Sequence, residues 1–250
     1  FVIPLLSGHI GGANGFAKAL AKVIKATPVV TTATDVNKLF AVDEWAARNN
    51  MIINSMKAAK DFAAALVDGQ EVGLFTDYPI ISALPRQIVL KDKGVTGLAI
   101  TKNRNVKPFD VTVQLWPRNI YLGIGCRRGT TLESIETLVL PKLKELGIDL
   151  RTIVGVASVD LKKDEAGLLD FVAKYDWEIS FFTAEELQNA TGEFSSSDFV
   201  KSVVGVSNVC ERSAVLAANN GSIISSKCSL NGVTLAVAEA DIVLDFEKLF

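Results

Sequence analysis

The sequence has little of several features that would indicate a particular class of protein. It holds one histidine among 250 residues, and its three cysteines lack the spacing of a zinc site or a redox motif. No apolar run approaches the roughly 18 residues of a membrane span, and a net charge of −2 gives no general attraction to nucleic acid. We therefore expect neither a membrane nor a nucleic acid as partner. The odd cysteine count favours reduced thiols in a cytoplasmic protein.

Two nucleotide-binding signatures are also missing. There is no phosphate-loop lysine motif, and the segment around Gly123 and Gly125 lacks the third glycine of a dinucleotide fingerprint. This argues against a dehydrogenase.

What the sequence has is alternation of strand-like and helix-like segments. Hydrophobic residues make up 49% of the chain, which suits buried strands covered by helices on both faces. We predict helices over 12–26, 42–49, 55–68, 164–175 and 208–218, with others opened by Thr130, Thr183 and Ser195. The predicted strands are 2–6, 28–31, 72–75, 88–90, 97–101, 111–115, 120–124, 152–157, 178–181, 222–226 and 233–237.

This order predicts an α/β fold with mostly parallel sheets flanked by helices. Two glycine-turn modules are joined by a small mixed α/β middle region, which gives predicted parts at 1–35, 36–116 and 117–250. Phe1 enters a predicted strand directly, so we expect that N-terminal residues are missing.

The single histidine, His9, lies on a glycine-rich turn between a predicted strand and a predicted helix, at 7–14. Histidine is the side chain best suited to proton transfer near neutral pH, and backbone N–H groups at such a turn favour bound anions. The glycines could serve tight packing alone, and Asn14 could contact a ligand or support the turn. The position beside a helix N-terminus favours a functional role for His9.

A second glycine turn, 123–130, places Arg127 and Arg128 at the start of a helix. The helix dipole disfavours cations there unless an anion is bound, and arginine grips carboxylate or phosphate with two hydrogen bonds. Alternatively, one arginine faces solvent and only the other has a functional role. Cys126 has no second histidine to activate it, so we interpret it as a packing residue.

Two further strand ends carry polar side chains. In one, 31–35, Asp35 could assist His9 or cap the next helix. The other, 158–165, is either a solvated charge cluster or part of the ligand-binding edge of the sheet.

Taken together, these motifs resemble the cobalamin-biosynthesis protein G family, the cobalt-precorrin-5A hydrolases of the anaerobic vitamin B12 pathway. The matching stretches are Pro4–Asn14, Thr31–Asp35, Gly123–Thr130, Ala157–Glu165, Phe194–Ser197 and Gly205–Glu211. The resemblance implies that 1–35 is the remnant of an N-terminal domain and that 117–250 is similar to CobE.

The resemblance implies a hydrolase acting on a lactone and a carbon–carbon bond. The reaction opens the ring-A lactone of cobalt-precorrin-5A, releases acetaldehyde and gives cobalt-precorrin-5B. We expect His9 to be the catalytic base, oriented by Asp35. The expected substrate-binding residues are Ser7, Gly8, Gly11, Gly12, Asn14, Thr34, Gly125, Arg127, Arg128, Ser158 and Lys162.

Cobalt arrives within the substrate, so we expect no cofactor and no metal site in the protein. The expected partners are the cobalt-precorrin macrocycle and other enzymes of the corrin pathway. The alternative is a non-catalytic protein that binds corrin intermediates and hands them on. An NAD-linked oxidoreductase is a third and more distant hypothesis.

Overall fold

The computed structural model describes residues 13–28, 39–192, 194 and 208–247. These residues belong to two compact units. The first ends at Pro117 and takes up the chain again from Val243, and the second is Arg118–Ile242. Each unit has a five-stranded sheet among the described residues, with helices packed against it. The predicted α/β class is confirmed.

The described helices are α1 Ala13–Val23, α2 Val42–Arg48, α3 Met56–Val67, α4 Leu132–Glu145, α5 Ala166–Tyr175, α6 Ala184–Gln188 and α7 Val209–Ala217. The strands are β1 Met51–Ile53, β2 Val72–Thr76, β3 Ile88–Leu90, β4 Gly94–Ile100, β5 Phe109–Pro117, β6 Ile120–Cys126, β7 Ile153–Val159, β8 Glu178–Phe182, β9 Ser222–Leu230 and β10 Val233–Glu239. The sequence pattern does not predict β1. Predicted strand 2–6, most of 28–31 and the predicted helix opened by Ser195 lie outside the described residues. No described helix is long and apolar enough to cross a membrane.

The first sheet has the strand order β1-β5-β4-β2-β3 and is parallel except for the β1–β5 pair. Its paired glycines Gly73 and Gly97 make room for the buried ring of Phe109. An ideal Cβ would lie 2.2 Å from the ring on Gly73 and 2.5 Å from it on Gly97. One side chain, Phe109, therefore fills the space that these two glycines leave beside the sheet.

The last described residues return to the first unit. Leu244 forms a parallel bridge with Ile80, and the Trp45 indole N–H donates to the Asp245 carbonyl at 3.0 Å. Phe246 stacks on Trp45 with 4.7 Å between ring centroids. The sequence prediction placed these residues in the C-terminal domain instead, because no local pattern shows which sheet a short terminal segment joins.

The second sheet has the order β8-β7-β6-β10-β9. The β8–β7 and β7–β6 pairs are parallel, while the β6–β10 and β10–β9 pairs are antiparallel. The mostly parallel arrangement thus holds for the first sheet and for half of the second. Asn231 and Gly232 have φ values of 50° and 83°, as a tight hairpin turn requires, so β9 and β10 pair directly without a crossover helix.

Helices cover both faces of the second sheet. Leu122 and Ile124 of β6 point into a core shared with Ile135 of α4 and Phe171 of α5. Gly123 points to the opposite face, since side chains alternate along a strand. There the backbone of α7 lies so close that an ideal Cβ on Gly123 would be 1.7 Å from the Cys210 carbonyl oxygen.

Candidate functional site

The parallel strands β6 and β7 end at the same edge of the second sheet. A turn over 127–131 leads from β6 into α4, and a loop over 160–165 leads from β7 into α5. Because neighbouring parallel strands bring their carboxyl ends together, these two connections lie side by side. The charged residues predicted to bind substrate in this half of the chain, Arg127, Arg128 and Lys162, all lie on these two connections.

Hydrogen bonds within the turn and to the β9–β10 hairpin hold the turn after β6. The Arg127 N–H donates to the Gly232 carbonyl at 3.1 Å, and the Thr130 hydroxyl donates to the Arg127 carbonyl at 2.7 Å. Gly129 has a φ of 76°, which few other residues adopt without strain. Thr131 then caps α4 by accepting the Ser134 N–H at 3.3 Å. These contacts restrain the two ends of the turn, at Arg127 and at Thr130 and Thr131.

Both arginines project from this turn towards solvent. The Arg128 side chain is 75% exposed and lies 3.6 Å from the Asp164 carboxylate, which is itself largely exposed. Ion pairs of this kind contribute little and exchange readily with other anions. Arg127 is also exposed, and its side chain runs along Gly232. Two exposed guanidinium groups are thus open to an anion in solution, Arg127 beside the β9–β10 turn and Arg128 beside Asp164.

A buried carboxylate lies beneath the arginine turn. Only 5% of the Glu165 side chain is exposed, and its carboxylate accepts the Gly129 N–H and pairs with the Lys162 ammonium at 3.2 Å. Burial raises the pKa of Glu165, but the Gly129 N–H and the nearby cations more than offset it, so the pKa lies below its ordinary value. The Gly129 N–H, which the sequence offers to a bound anion, is already taken by the chain's own carboxylate.

Three family models match successive parts of the chain. They are described as Cobalamin synthesis G N-terminal over residues 1–35, Cobalamin biosynthesis central region over 40–117, and Cobalamin synthesis G C-terminus over 120–238. A cobalt-precorrin-5A hydrolase from Priestia megaterium is 30% identical over 95% of this chain and 68% of its own length. A second one, from Salmonella typhimurium, is 33% identical over 96% of this chain and 71% of its own.

This chain belongs to the cobalamin biosynthesis protein G family. The resemblance seen in the motifs is confirmed. The crystal structure of CobE, a protein from the cobalamin biosynthetic pathway, is 28% identical over 48% of this chain and 89% of its own, with a TM-score of 0.46. That score is too low to add to the family assignment.

The structure of this family member brings together Arg127, Arg128 and Lys162 at one sheet edge. It does not bring Ser158 into solvent. Ser158 is fully buried inside β7, and its hydroxyl donates to the Ile124 carbonyl at 2.7 Å. Gly125 lies within β6, where its carbonyl accepts the Thr234 hydroxyl at 3.3 Å. Both positions support the sheet beneath the arginine turn.

The N-terminal half of the predicted site falls almost entirely outside the described residues. Outside the described residues lie Ser7, Gly8, His9, Gly11, Gly12, Thr34 and Asp35. Asn14 is the second residue of α1, and its side chain is not described. The roles of these residues stay predictions.

Cys126 of this family member fits its interpretation as a packing residue, and Cys210 is buried as well. Burial raises the pKa of the Cys126 thiol, and the effect of Lys162 offsets part of that rise. Burial raises the pKa of Cys210 to about 11. Neither thiol is poised as a thiolate near neutral pH. Within the described part of the chain, no group of three histidine, cysteine or acidic side chains is arranged to hold a metal ion.

Sequence reasoning missed the part played by Glu165. The residue stands in the charged stretch 158–165, where a solvated cluster is a natural interpretation. The overlooked signal is its position: it directly precedes α5, and Gly167 two residues later allows a close approach. An ideal Cβ on Gly167 would lie 2.1 Å from the Thr130 carbonyl oxygen. The start of α5 is therefore packed directly against the arginine turn.

Proposed function

We propose that this chain acts in cobalamin biosynthesis as a cobalt-precorrin-5A hydrolase. The observation that carries the proposal is its similarity to two proteins of that name, each matched over more than two thirds of its length. The second unit adds a chemical reason. Its exposed arginine pair suits a macrocycle edged with acetate and propionate groups, because guanidinium binds carboxylate in a bidentate geometry.

The proposed reaction opens the ring-A lactone and releases a two-carbon unit as acetaldehyde, leaving cobalt-precorrin-5B. Water attacks the lactone, and a base must remove a proton from that water. His9 is the one side chain of this sequence whose ordinary pKa lies near neutrality. We assign it this role, with Asp35 orienting the imidazole, and we assign the turn at 7–14 and Thr34 to the substrate. The cobalt belongs to the substrate.

In the second unit we assign substrate carboxylates to Arg127 and Arg128. The turn that bears them is held by hydrogen bonds to the Gly232 carbonyl, within the turn itself and to Glu165, so little ordering remains for the substrate to impose. Gly125 and Ser158 are assigned to the support of this edge.

The test is anaerobic incubation of the protein with cobalt-precorrin-5A, with acetaldehyde as the measured product. We expect release by the unaltered protein and a loss of turnover of roughly 100-fold or more for His9→Ala, the usual effect of removing a general base. Circular dichroism of the variant should be unchanged.

Two results would contradict these assignments separately. Macrocycle binding without any acetaldehyde from the unaltered protein would indicate the alternative, a carrier of corrin intermediates. Near-normal turnover by His9→Ala would leave the hydrolase standing and remove His9 from the mechanism. Glu145→Gln, a change of charge on an exposed residue of α4, serves as the control and should turn over normally.

A further inference from the structure

We infer that Lys162 and Glu165 form an internal pair that positions the arginine turn, and that Lys162 is not itself a substrate contact. This inference rests on the proposed function and changes the role that the sequence suggests for Lys162. Both residues act through Arg127 and Arg128 and are therefore positioning residues.

Lys162 and Arg128 differ in what it costs the protein to release each cation from its carboxylate partner. The Glu165 carboxylate is 5% exposed and Lys162 is 17% exposed, so their pair is largely withdrawn from water. If Lys162 left for a substrate carboxylate, a buried charge would lose its partner, which is strongly unfavourable. Arg128 faces no such cost, because its partner Asp164 is 63% exposed and would be solvated by water.

The pair of Lys162 and Glu165 holds the backbone of the arginine turn in place. Glu165 accepts the N–H of Gly129, the residue directly after the two arginines. Gly167 packs against the Thr130 carbonyl on the other side of that glycine. The path of the turn is thus fixed from below by the start of α5. Against the effect of burial, the Gly129 N–H and then Lys162 lower the pKa of Glu165 and so favour its charged form in that position.

The two possible roles of Lys162, substrate ligand and positioning residue, predict opposite changes in KM for Glu165→Gln. If Lys162 were a substrate ligand, Glu165→Gln would release it and lower the KM for an anionic substrate. If the pair positions the turn, the same variant displaces the arginines and raises the KM. The two models therefore differ in direction and not only in size.

The experiment is a double-mutant cycle with Glu165→Gln, Lys162→Met and the two together, in the anaerobic acetaldehyde assay. We expect each single variant to raise the KM by roughly tenfold and to change kcat by less than about twofold. Because both remove the same pair, the double variant should be no more than about threefold worse than the worse single one. An unchanged or lower KM for Glu165→Gln, or effects that multiply, would overturn the inference.

A matched control pair exists on α4. Lys142 and Glu145 have the same three-residue spacing and an ion pair of 2.7 Å, but Glu145 is 66% exposed and the pair lies in the last turn of the helix. Lys142→Met and Glu145→Gln should leave the KM unchanged. A comparable rise in KM for the control pair would show a general effect of charge and overturn the positioning role.

A second measurement needs neither substrate nor the Glu165 variant. Hydrogen exchange of the Gly129 amide reports whether its acceptor is held, and we expect roughly tenfold faster exchange in Lys162→Met. Unchanged exchange would overturn the inference even if Glu165→Gln does not fold. Failure of the unaltered protein to release acetaldehyde would instead overturn the proposed function, and exchange at Gly129 would then test the pair alone.

Discussion

Buried glycines on interior strands occur in both sheets, but they make room for different parts of the chain. In the first sheet, Gly73 and Gly97 are register partners on β2 and β4, and the Phe109 ring fills the space above them. In the second sheet, Gly123 of β6 lies against the backbone of α7 at Cys210. The space beside the glycines is occupied by a side chain in the first sheet and by the backbone of a helix in the second.

This difference determines how each sheet can respond to an added atom. The Phe109 ring can turn about two side-chain bonds, so crowding at Gly73 can be relieved locally. A smaller side chain at position 109 would also relieve it. The Cys210 carbonyl is part of the helical backbone and moves only if α7 moves with it. Since α7 packs on β6, β7 and β10, such a movement would disturb a whole face of the second unit.

The largest effect should come from Gly123→Ala. The new methyl group would overlap the Cys210 carbonyl, and we expect a loss of about 4 kcal/mol or more in the free energy of unfolding. Urea unfolding followed by circular dichroism measures it. Gly94→Ala, whose Cβ would meet no atom closer than 3.5 Å, is the control. A Gly123 variant as stable as this control would show that α7 yields easily and would erase the contrast between the sheets.

An intermediate effect is expected from Gly73→Ala, at about 1–3 kcal/mol, because the three atoms nearest to the new methyl group all belong to the Phe109 ring. Phe109→Leu should recover part of it, so that the double variant is more stable than the sum of the two changes predicts. Ala214→Gly should give no such recovery to Gly123→Ala, because the Cys210 carbonyl stays in place. Additive effects of Gly73→Ala and Phe109→Leu, measured by the same urea unfolding, would contradict the distinction between the two kinds of contact.

Much of the strand and helix pattern of both units could be predicted because burial leaves a periodic trace in the sequence. The predicted segments 88–90 and 233–237 fall on β3 and within β10. Pairing direction was harder. Alternation of strands and helices predicts parallel neighbours, whereas the Asn231-Gly232 dipeptide is the local signal for the antiparallel hairpin that ends the second sheet.

The candidate site, too, could be predicted from the sequence only in part. The helix dipole argument singles out Arg127 and Arg128, and the structure places both on an exposed turn. Ser158 was assigned to the loop because the predicted strand ended at residue 157, while β7 runs to Val159 and buries the side chain. The contact of Glu165 with Gly129 joins residues 36 apart in the chain, and no local pattern encodes it.

The side chains that hold the loops at the two sheet edges differ in charge as well. In the first unit the buried amide of Gln114 donates to the carbonyls of Arg104 and Val106, at 2.5 and 3.0 Å, and so holds the loop after β4. In the second unit the turn after β6 is held by the carboxylate of Glu165. An amide has no proton to gain in acid, whereas a carboxylate does.

The smallest effect should appear on acidification. Because the pKa of Glu165 lies below its ordinary value of 4.5 in the folded chain, its contribution is complete above that value and is lost as the pH falls through the lower folded pKa. We expect amide exchange protection at Gly129 to fall by roughly tenfold across this range, and that at Val106 to change little. Val106 is a better reference than Lys102 in the same loop, because the Lys102 backbone N–H donates to the Asp77 carboxylate at 3.2 Å and so has an acceptor that acid can protonate. Glu165→Gln should abolish the acid response at Gly129. An equal loss of protection in both loops would show that acid loosens the two units alike, and that the buried carboxylate does not set the second apart.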